Sequence, residues 1–211
     1  MRKLFFIVAI VAVGYKFYYT PSSTEISAYD EAGNPIVLIF TANECGKYCE
    51  SALSLLDDRE IKYKQINLSD GKEAKQLFKQ YGGGRTVPVL VVGKRRIDGY
   101  NHEIMVSALL EEYGWDALTE EEEDAMRNHF DYDGNPRIVM YGVDWCGYCK
   151  KAQEYFENKG VDYEELNIET DMVAKQHYDI LGGSGVPLIY VGFKRIQGFN
   201  SQTFDEILEL W

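Results

Sequence analysis

The sequence predicts an α/β protein with two tandem domains, each a four-stranded mixed sheet flanked by helices. The first reason is an internal repeat, in which residues 131–136 (DYDGNP) match residues 30–35 (DEAGNP) and Cys149 aligns with Cys49. The second is that both copies show the same order of strand and helix patterns. The third is composition, because 45% hydrophobic and 14% aromatic residues suffice for two small cores and are untypical of a disordered chain. Matches this dense indicate duplication of one domain.

The order of elements is easiest to read in the second copy. The predicted elements are a strand over residues 137–141, a helix over 149–158, a strand over 161–168, a helix over 172–181, hairpin strands over 188–191 and 194–197, and a helix over 201–210. The first helix ends with basic Lys159 and then Gly160, a common C-cap residue. Gly192 lies at the hairpin turn. This β-α-β-α-β-β-α order predicts a mixed sheet with helices on both faces.

The chain divides into four predicted parts. They are an N-terminal segment (residues 1–20), domain 1 (34–113), an acidic, partly helical connector (114–133) and domain 2 (134–211). The connector has eight acidic residues and one basic residue, in a chain of net charge −12. Thr119, with Glu122 three residues later, predicts a helix start with a capping box. We interpret the connector as a solvated linker in preference to a surface that steers a basic partner, and the charge balance argues against nucleic acid as a partner.

The N-terminal segment differs in character from the rest of the chain. Arg2 and Lys3 precede an uninterrupted apolar run over residues 4–15, which is typical of an export signal or a membrane anchor. No good cleavage site follows this run, so we expect an uncleaved anchor within residues 1–20. A membrane-anchored protein with both domains on the extracytoplasmic (periplasmic) side is therefore the expectation. The alternatives are an exported protein and domains that face the cytoplasm.

Two cysteines, Cys146 and Cys149, lie where a predicted strand gives way to a predicted helix. The helix N-terminus has unpaired N–H groups and a positive dipole end, which favour a thiolate over a thiol. A second cysteine one turn later is close enough to attack a mixed disulfide formed by the first. The alternatives are a structural disulfide and half of a Cys₄ zinc site, whose other half would be the cysteine pair of the first copy, Cys45 and Cys49. Each pair occupies the same place in its own copy, which argues against one shared zinc site. The pattern therefore favours redox chemistry, and we expect no metal site.

The three histidines do not indicate a metal site. His102, His129 and His177 show no ligand-like spacing, so we expect them on the surface or within helices.

The first copy departs from this pattern, because three residues separate Cys45 from Cys49. Positions i and i+4 share one helical face, so the two cysteines form a second candidate redox pair, but a disulfide between them requires a different loop at the helix start. Glu44 replaces Trp145 and should raise the pKa of the Cys45 thiol. We interpret domain 1 as degenerate or redox-altered, with client binding as its role. The alternative is a second active site of different potential that relays electrons to the first.

The order of elements, the Cys-Gly-Tyr-Cys motif and the later Gly185-Val186-Pro187 resemble glutaredoxins within the thioredoxin-like fold. The resemblance covers nearly all of residues 36–211. It implies a thiol–disulfide oxidoreductase with a role in electron transport, acting on protein or glutathione mixed disulfides, with Cys146 as nucleophile and Cys149 as resolving thiol. In that family the Val-Pro peptide is cis and the residue before proline pairs with the substrate backbone. Reductases, isomerases and oxidases share this motif, so the direction of electron flow stays open.

The resemblance also supplies candidate substrate- or glutathione-binding residues. They are Tyr148, Val186, Pro187, Gly198, Asn200 and Ser201, with Val87, Pro88, Gly99 and Asn101 as the equivalents in domain 1. Two family positions that hold the ends of glutathione are altered: a lysine is replaced by Val143, and an acidic pair by Asn200 and Ser201. Asn200 or Ser201 is expected to cap the last helix. Glutathione is thus a weakened candidate co-substrate, and Trp145 is similar to the tryptophan of thioredoxins, which reduce protein disulfides directly.

No permanently bound cofactor is expected. Family members with a small residue in place of the motif proline hold an iron–sulfur cluster between protomers, using the first cysteine and glutathione. Gly147 is such a small residue, so a cluster is a second, less favoured possibility. The alternative to an enzyme is accordingly a thioredoxin-fold module that binds a partner or holds a cluster.

Overall fold

The structure is a computed structural model that describes residues 26–209 of the chain. The predicted anchor segment, residues 1–20, lies outside the described residues, as do residues 210–211 at the end of the last predicted helix. Within residues 26–209, no helix combines the length and the apolar character needed to cross a bilayer.

Both copies contain the predicted elements in the predicted order. The first copy has β1 (Val37–Thr41), α1 (Lys47–Asp57), β2 (Tyr63–Asn67), α2 (Lys72–Gln80), β3 (Val89–Val92), β4 (Arg95–Asp98) and α3 (His102–Tyr113). The connector contributes α4 (Glu120–Met126). The second copy has β5 (Ile138–Gly142), α5 (Gly147–Lys159), β6 (Glu164–Asn167), α6 (Met172–Ile180), β7 (Leu188–Val191), β8 (Lys194–Gln197) and α7 (Ser201–Leu208).

The two sheets have the same topology, with strand orders β2-β1-β3-β4 and β6-β5-β7-β8. In each copy the first strand pairs in parallel with the second and antiparallel with the third. The central strands β1 and β5 are buried along their whole length because helices cover both faces. The predicted α/β class, two four-stranded mixed sheets in tandem, is confirmed. Both cysteine motifs follow the carboxyl end of a central strand.

The element boundaries agree within a few residues. The hairpin strands β7 and β8 coincide with the prediction, and Gly160 ends α5 in the left-handed conformation at φ +66°. The largest shifts are in β6, which begins at Glu164 and not at residue 161, and in α5, which begins at Gly147 and not at residue 149. The helix starts earlier because Cys146 caps it, a contact that sequence patterns do not reveal.

The connector is not simply a solvated linker, and this part of the sequence interpretation was wrong. Ala125 and Met126 in α4 are fully buried, and α4 packs against α6 of the second copy. One continuous hydrophobic cluster contains Leu56 of α1, Met126 of α4 and Tyr190 of β7. The two copies therefore share a core through the connector. The predicted capping box at Thr119 and Glu122 is present at the start of α4.

His129, expected on the surface or in a helix, is fully buried in a short 3₁₀ turn of the connector. Its ring stacks on that of Tyr190 at a centroid distance of 4.6 Å, and its Nε2 lies 3.0 Å from the Tyr141 hydroxyl oxygen. Burial, assisted by the charges of His177 and Arg137, lowers the pKa of His129 to about 3. The imidazole is therefore neutral in the folded protein at ordinary pH.

This burial predicts a pH dependence of stability. The ordinary pKa of histidine is about 6.5, so acid protonates His129 in the unfolded chain before it does so in the folded one. The unfolding free energy should therefore fall by about 2 kcal/mol between pH 7 and pH 5 on account of this residue. Urea denaturation at both pH values, with His129→Gln as the comparison, measures it. An equal pH dependence in the variant would contradict the assignment.

Candidate active site

The cysteine pair of the second copy lies at the junction between β5 and α5. Cys146 is the N-cap residue of α5, and its Sγ accepts a hydrogen bond from the N–H of Cys149 at 3.0 Å. The two cysteines form a disulfide, with their Cα atoms 5.2 Å apart. After reduction the same N–H points at the Cys146 sulfur, so the helix start stabilises a thiolate there.

The two sulfurs of this pair differ in their surroundings. Cys146 is 5% exposed and Cys149 only 1%. A Cβ atom placed on Gly142, the last residue of β5, would lie 3.3 Å from the Cys149 Sγ. The repeat places Thr41 at the equivalent position of the first copy. Glycine at 142 thus leaves room for the inner sulfur, a role that aligning the two copies would have indicated but the sequence interpretation missed.

The loop before β7 carries two candidate binding residues, Val186 and Pro187. The Val186–Pro187 peptide is cis, as the resemblance implied. Val186 packs against the hydrophobic cluster that contains both Cys146 and Cys149. The Gly198 N–H donates to the Pro187 carbonyl oxygen at 2.8 Å, which ties this loop to the end of the hairpin. Val186 therefore packs on the cluster of the cysteine pair, and Gly198 is joined to Pro187 by a hydrogen bond.

The remaining candidate binding residues lie in α5 and at the start of α7. Tyr148 is 60% exposed, and the Lys151 Nζ lies 5.0 Å from its ring centroid. Asn200 caps α7, since its side-chain oxygen accepts from the N–H groups of Gln202 and Thr203. Ser201 is the exposed first residue of that helix. Of the two residues expected to cap α7, Asn200 fills this role.

The first copy also forms a disulfide, between Cys45 and Cys49, with a Cα–Cα distance of 5.6 Å. Its loop differs as expected from the spacing: the extra residue, Gly46, adopts φ +57°, and α1 begins one residue later, at Lys47. Here the Cys49 N–H donates to the Gly46 carbonyl oxygen at 3.1 Å instead of to a sulfur. The Cys45 sulfur thus lacks the N–H contact that stabilises a thiolate in the second copy.

The other candidate residues of domain 1 repeat the second copy closely. The Val87–Pro88 peptide is cis, and Gly99 has φ +78°. Asn101 caps α3 by accepting from the Ile104 N–H at 2.9 Å. The cis peptide, the glycine after the hairpin and the cap of the last helix are therefore retained in the first copy.

Three apolar side chains of the second copy are exposed to solvent, one next to Cys146 in the chain and two at the start of α6. Trp145 is 71% exposed, and its indole N–H donates to Glu169 at 3.0 Å. Met172 and Val173, which follow Glu169 at the start of α6, are 88% and 58% exposed. The first copy has charged residues at these three positions, namely Glu44, Lys72 and Glu73. The sequence interpretation singled out only Trp145 of these three residues.

Comparison with known proteins gives the family. A model of the glutaredoxin family matches the chain twice, over residues 37–97 and residues 138–196, which together are more than half of its length. This chain belongs to the glutaredoxin family. Since each match spans the sheet and the first two helices of one copy, the tandem arrangement is a duplication of a glutaredoxin domain.

Individual relatives resemble this glutaredoxin over less than half of its length. A glutaredoxin-like 8.6 kDa protein from a rubredoxin operon of Clostridium pasteurianum is 34% identical over 73 residues, which cover 34% of this chain and 97% of that protein. A Pseudomonas aeruginosa glutaredoxin is 29% identical over 69 residues, 30% of this chain and 76% of that protein. The solved glutaredoxin of Archaeoglobus fulgidus is 28% identical with a TM-score of 0.31, covering 34% of this chain and 85% of its own.

A member of this family with cysteine pairs that form disulfides is a thiol–disulfide oxidoreductase. Each disulfide joins two cysteines of one copy. Within residues 26–209, no group of three or more His, Cys, Asp or Glu side chains is arranged to hold a metal ion.

Proposed function

We propose that this glutaredoxin acts on protein or glutathione mixed disulfides through domain 2, with Cys146 as the nucleophile and Cys149 as the resolving thiol. The observation that carries the proposal is the position of the Cys146 sulfur at the N-cap of α5, where the Cys149 N–H donates to it. Because only the thiolate is nucleophilic, the cysteine whose sulfur receives this contact is the better attacking group.

The reaction has two steps that balance in atoms and electrons. The Cys146 thiolate attacks one sulfur of the client disulfide, so that a mixed disulfide forms and the first client sulfur leaves as a thiolate. The Cys149 thiolate then attacks the Cys146 sulfur, which releases the second client thiolate and leaves the Cys146–Cys149 disulfide. Two electrons pass from the enzyme dithiol to the client, and the two client thiolates take up the protons that the enzyme thiols lost. Oxidation of a client is the same sequence in reverse.

The surroundings of Cys146 favour proteins over glutathione as clients. Trp145, which is exposed and precedes Cys146 in the chain, suits contact with an apolar side chain next to a client cysteine. The substitutions Val143, Asn200 and Ser201 remove charges that glutaredoxins use on the two ends of glutathione. We therefore propose protein disulfides as the main clients and glutathione as a co-substrate that restores the dithiol, itself becoming a disulfide.

Domain 1 is proposed as a redox-altered copy of low reactivity that helps to bind the client. Its support is the bond from the Cys49 N–H to the Gly46 carbonyl oxygen, which leaves the Cys45 sulfur without that donor.

We further propose that residues 1–20 anchor the protein in a membrane with both domains on the extracytoplasmic side, where it takes part in electron transport. The support is the sequence pattern of Arg2 and Lys3 before an apolar run. The cluster-holding alternative uses the same Cys146 thiolate as the proposed reaction, which forms when the Cys146–Cys149 disulfide is reduced.

The proposed roles predict a covalent intermediate. In the full chain with Cys149→Ser, the resolving thiol is missing, so the mixed disulfide between Cys146 and the client should accumulate as the major product. Incubation of the reduced variant with a disulfide-bonded peptide, followed by non-reducing peptide mapping, measures it. Cys146→Ser/Cys149→Ser is the control and should carry no adduct in domain 2. An adduct confined to Cys45 or Cys49 would refute the assignment of domain 2 as the working domain.

A further inference from the structure

Two side chains hold the loop that carries Val186. The Gly185 carbonyl oxygen accepts hydrogen bonds from the Tyr178 hydroxyl at 3.1 Å and from the Gln197 amide nitrogen at 2.9 Å. The same Gln197 nitrogen lies 3.3 Å from the Pro187 carbonyl oxygen. Carbonyl groups on both sides of Val186 are therefore held by side chains from α6 and β8.

Holding the Gly185 oxygen also fixes the direction of the Val186 N–H, because both belong to one planar peptide unit. In the described part of the chain, neither the N–H nor the C=O of Val186 makes a hydrogen bond of its own. Its backbone is thus oriented by its neighbours, and its N–H and C=O are available to pair with an incoming chain.

The first copy lacks both donors. Phe78 stands in place of Tyr178, and Asp98 in place of Gln197. A phenyl ring has no hydroxyl, and the Asp98 carboxylate only accepts, being paired with Arg96 at 2.6 Å. The copy with the altered cysteine motif therefore also lacks the side chains that hold the substrate-facing loop, although its fold is otherwise the same.

Gln197 suits positioning better than stabilisation, whereas Tyr178 belongs to the hydrophobic core and donates from there. Gln197 is exposed, so its hydrogen bonds contribute little to the core. Tyr178 is 7% exposed, and burial raises the pKa of its hydroxyl, which keeps the proton available for donation.

We propose that Tyr178 and Gln197 are positioning residues that orient the Gly185–Val186 peptide, so that the Val186 backbone pairs with the backbone of a client cysteine while Cys146 attacks its sulfur. This inference rests on the proposed function. Under this inference the enzyme selects its substrates in part by the peptide groups around the client disulfide. Tyr178 and Gln197 lie outside the cysteine motif and also distinguish domain 2 from domain 1.

The test compares two disulfide probes that share the leaving group 2-mercaptoethanol. One is its mixed disulfide with a short cysteine-containing peptide, and the other is bis(2-hydroxyethyl) disulfide, which has no peptide groups. The full chain with Tyr178→Phe/Gln197→Met keeps side-chain size but loses both donors. Its second-order rate constant with the peptide probe should fall about tenfold, whereas the rate with the small probe should change less than about twofold. Gln197→Met alone, at an exposed site that leaves the fold intact, should give about a threefold fall.

Gln202→Met, the same exchange at an exposed position of α7, is the matched control and should leave both rates unchanged. An equal fall with both probes, or no fall with the peptide probe, would overturn the positioning role while leaving the proposed function in place. A wild-type protein that reacts with neither probe would overturn both the positioning role and the proposed function.

Discussion

Cys146→Ser is expected to reduce disulfide turnover by the full chain on the order of a thousandfold or more, because it removes the attacking sulfur. Cys45→Ser, the matched change in the first copy, is expected to keep at least about a third of the wild-type rate. The expected difference in rate between the two variants follows from one hydrogen bond. The Cys149 N–H donates to the Cys146 sulfur, whereas the equivalent N–H of Cys49 donates to the Gly46 carbonyl oxygen.

Initial rates of reduction of a peptide disulfide, with glutathione as the electron donor, measure both variants under the same conditions. A large loss in Cys146→Ser alone supports one working site in domain 2. Comparable losses in both variants would instead show that the two pairs act in series, as a relay of electrons between the copies. Full activity of Cys146→Ser would exclude the proposed nucleophile.

The fold was predictable because both copies show the same order of strand and helix patterns, so an element assigned in one copy could be checked in the other. Short signals with a direct physical cause were also reliable: Gly160 ends α5 in the left-handed conformation, and Thr119 begins α4 with its capping box. These signals act over a few residues, so the local sequence contains the whole interaction.

What the sequence did not reveal depends on contacts between distant residues. The acidic run around Glu122 was interpreted as solvated, yet Glu122 is buried against Arg59, and His129 is buried between Tyr141 and Tyr190. An acidic residue within such a run is usually exposed, and only its tertiary partner changes this.

In the candidate site, too, features set by the local sequence were predicted and features set by contacts between distant residues were not. The cysteine spacing predicted the pairs, and the resemblance predicted the cis peptide before Pro187. The contact of the Cys149 N–H with the Cys146 sulfur, and the donors Tyr178 and Gln197, were not predicted. They depend on where a helix begins and on side-chain orientation across the sheet, neither of which hydrophobic periodicity specifies.

Glu122→Ala is expected to lower the unfolding free energy by about 3–5 kcal/mol, because it leaves the Arg59 guanidinium buried without its carboxylate. The Arg59 and Glu122 side chains are only 4% and 9% exposed and form an ion pair between the end of α1 and the first turn of α4. The variant also loses the bond from the Thr119 N–H to Glu122 at 3.0 Å. Glu121→Ala, the neighbouring change on the exposed side of α4, should cost at most about 0.5 kcal/mol. Urea denaturation of the three proteins at pH 7 measures the difference.

A second variant separates the ion pair from the packing around it. Arg59→Met/Glu122→Met replaces both charges with apolar side chains, so it should recover most of the loss seen in Glu122→Ala. Equal stability of Glu122→Ala and Glu121→Ala would mean that the ion pair does not join domain 1 to the connector. Because the shared hydrophobic cluster runs from Leu56 to Tyr190, wild-type protein should unfold in one transition. If the Arg59–Glu122 ion pair is needed to keep domain 1 packed against the connector, Glu122→Ala should unfold in two transitions, one for each copy.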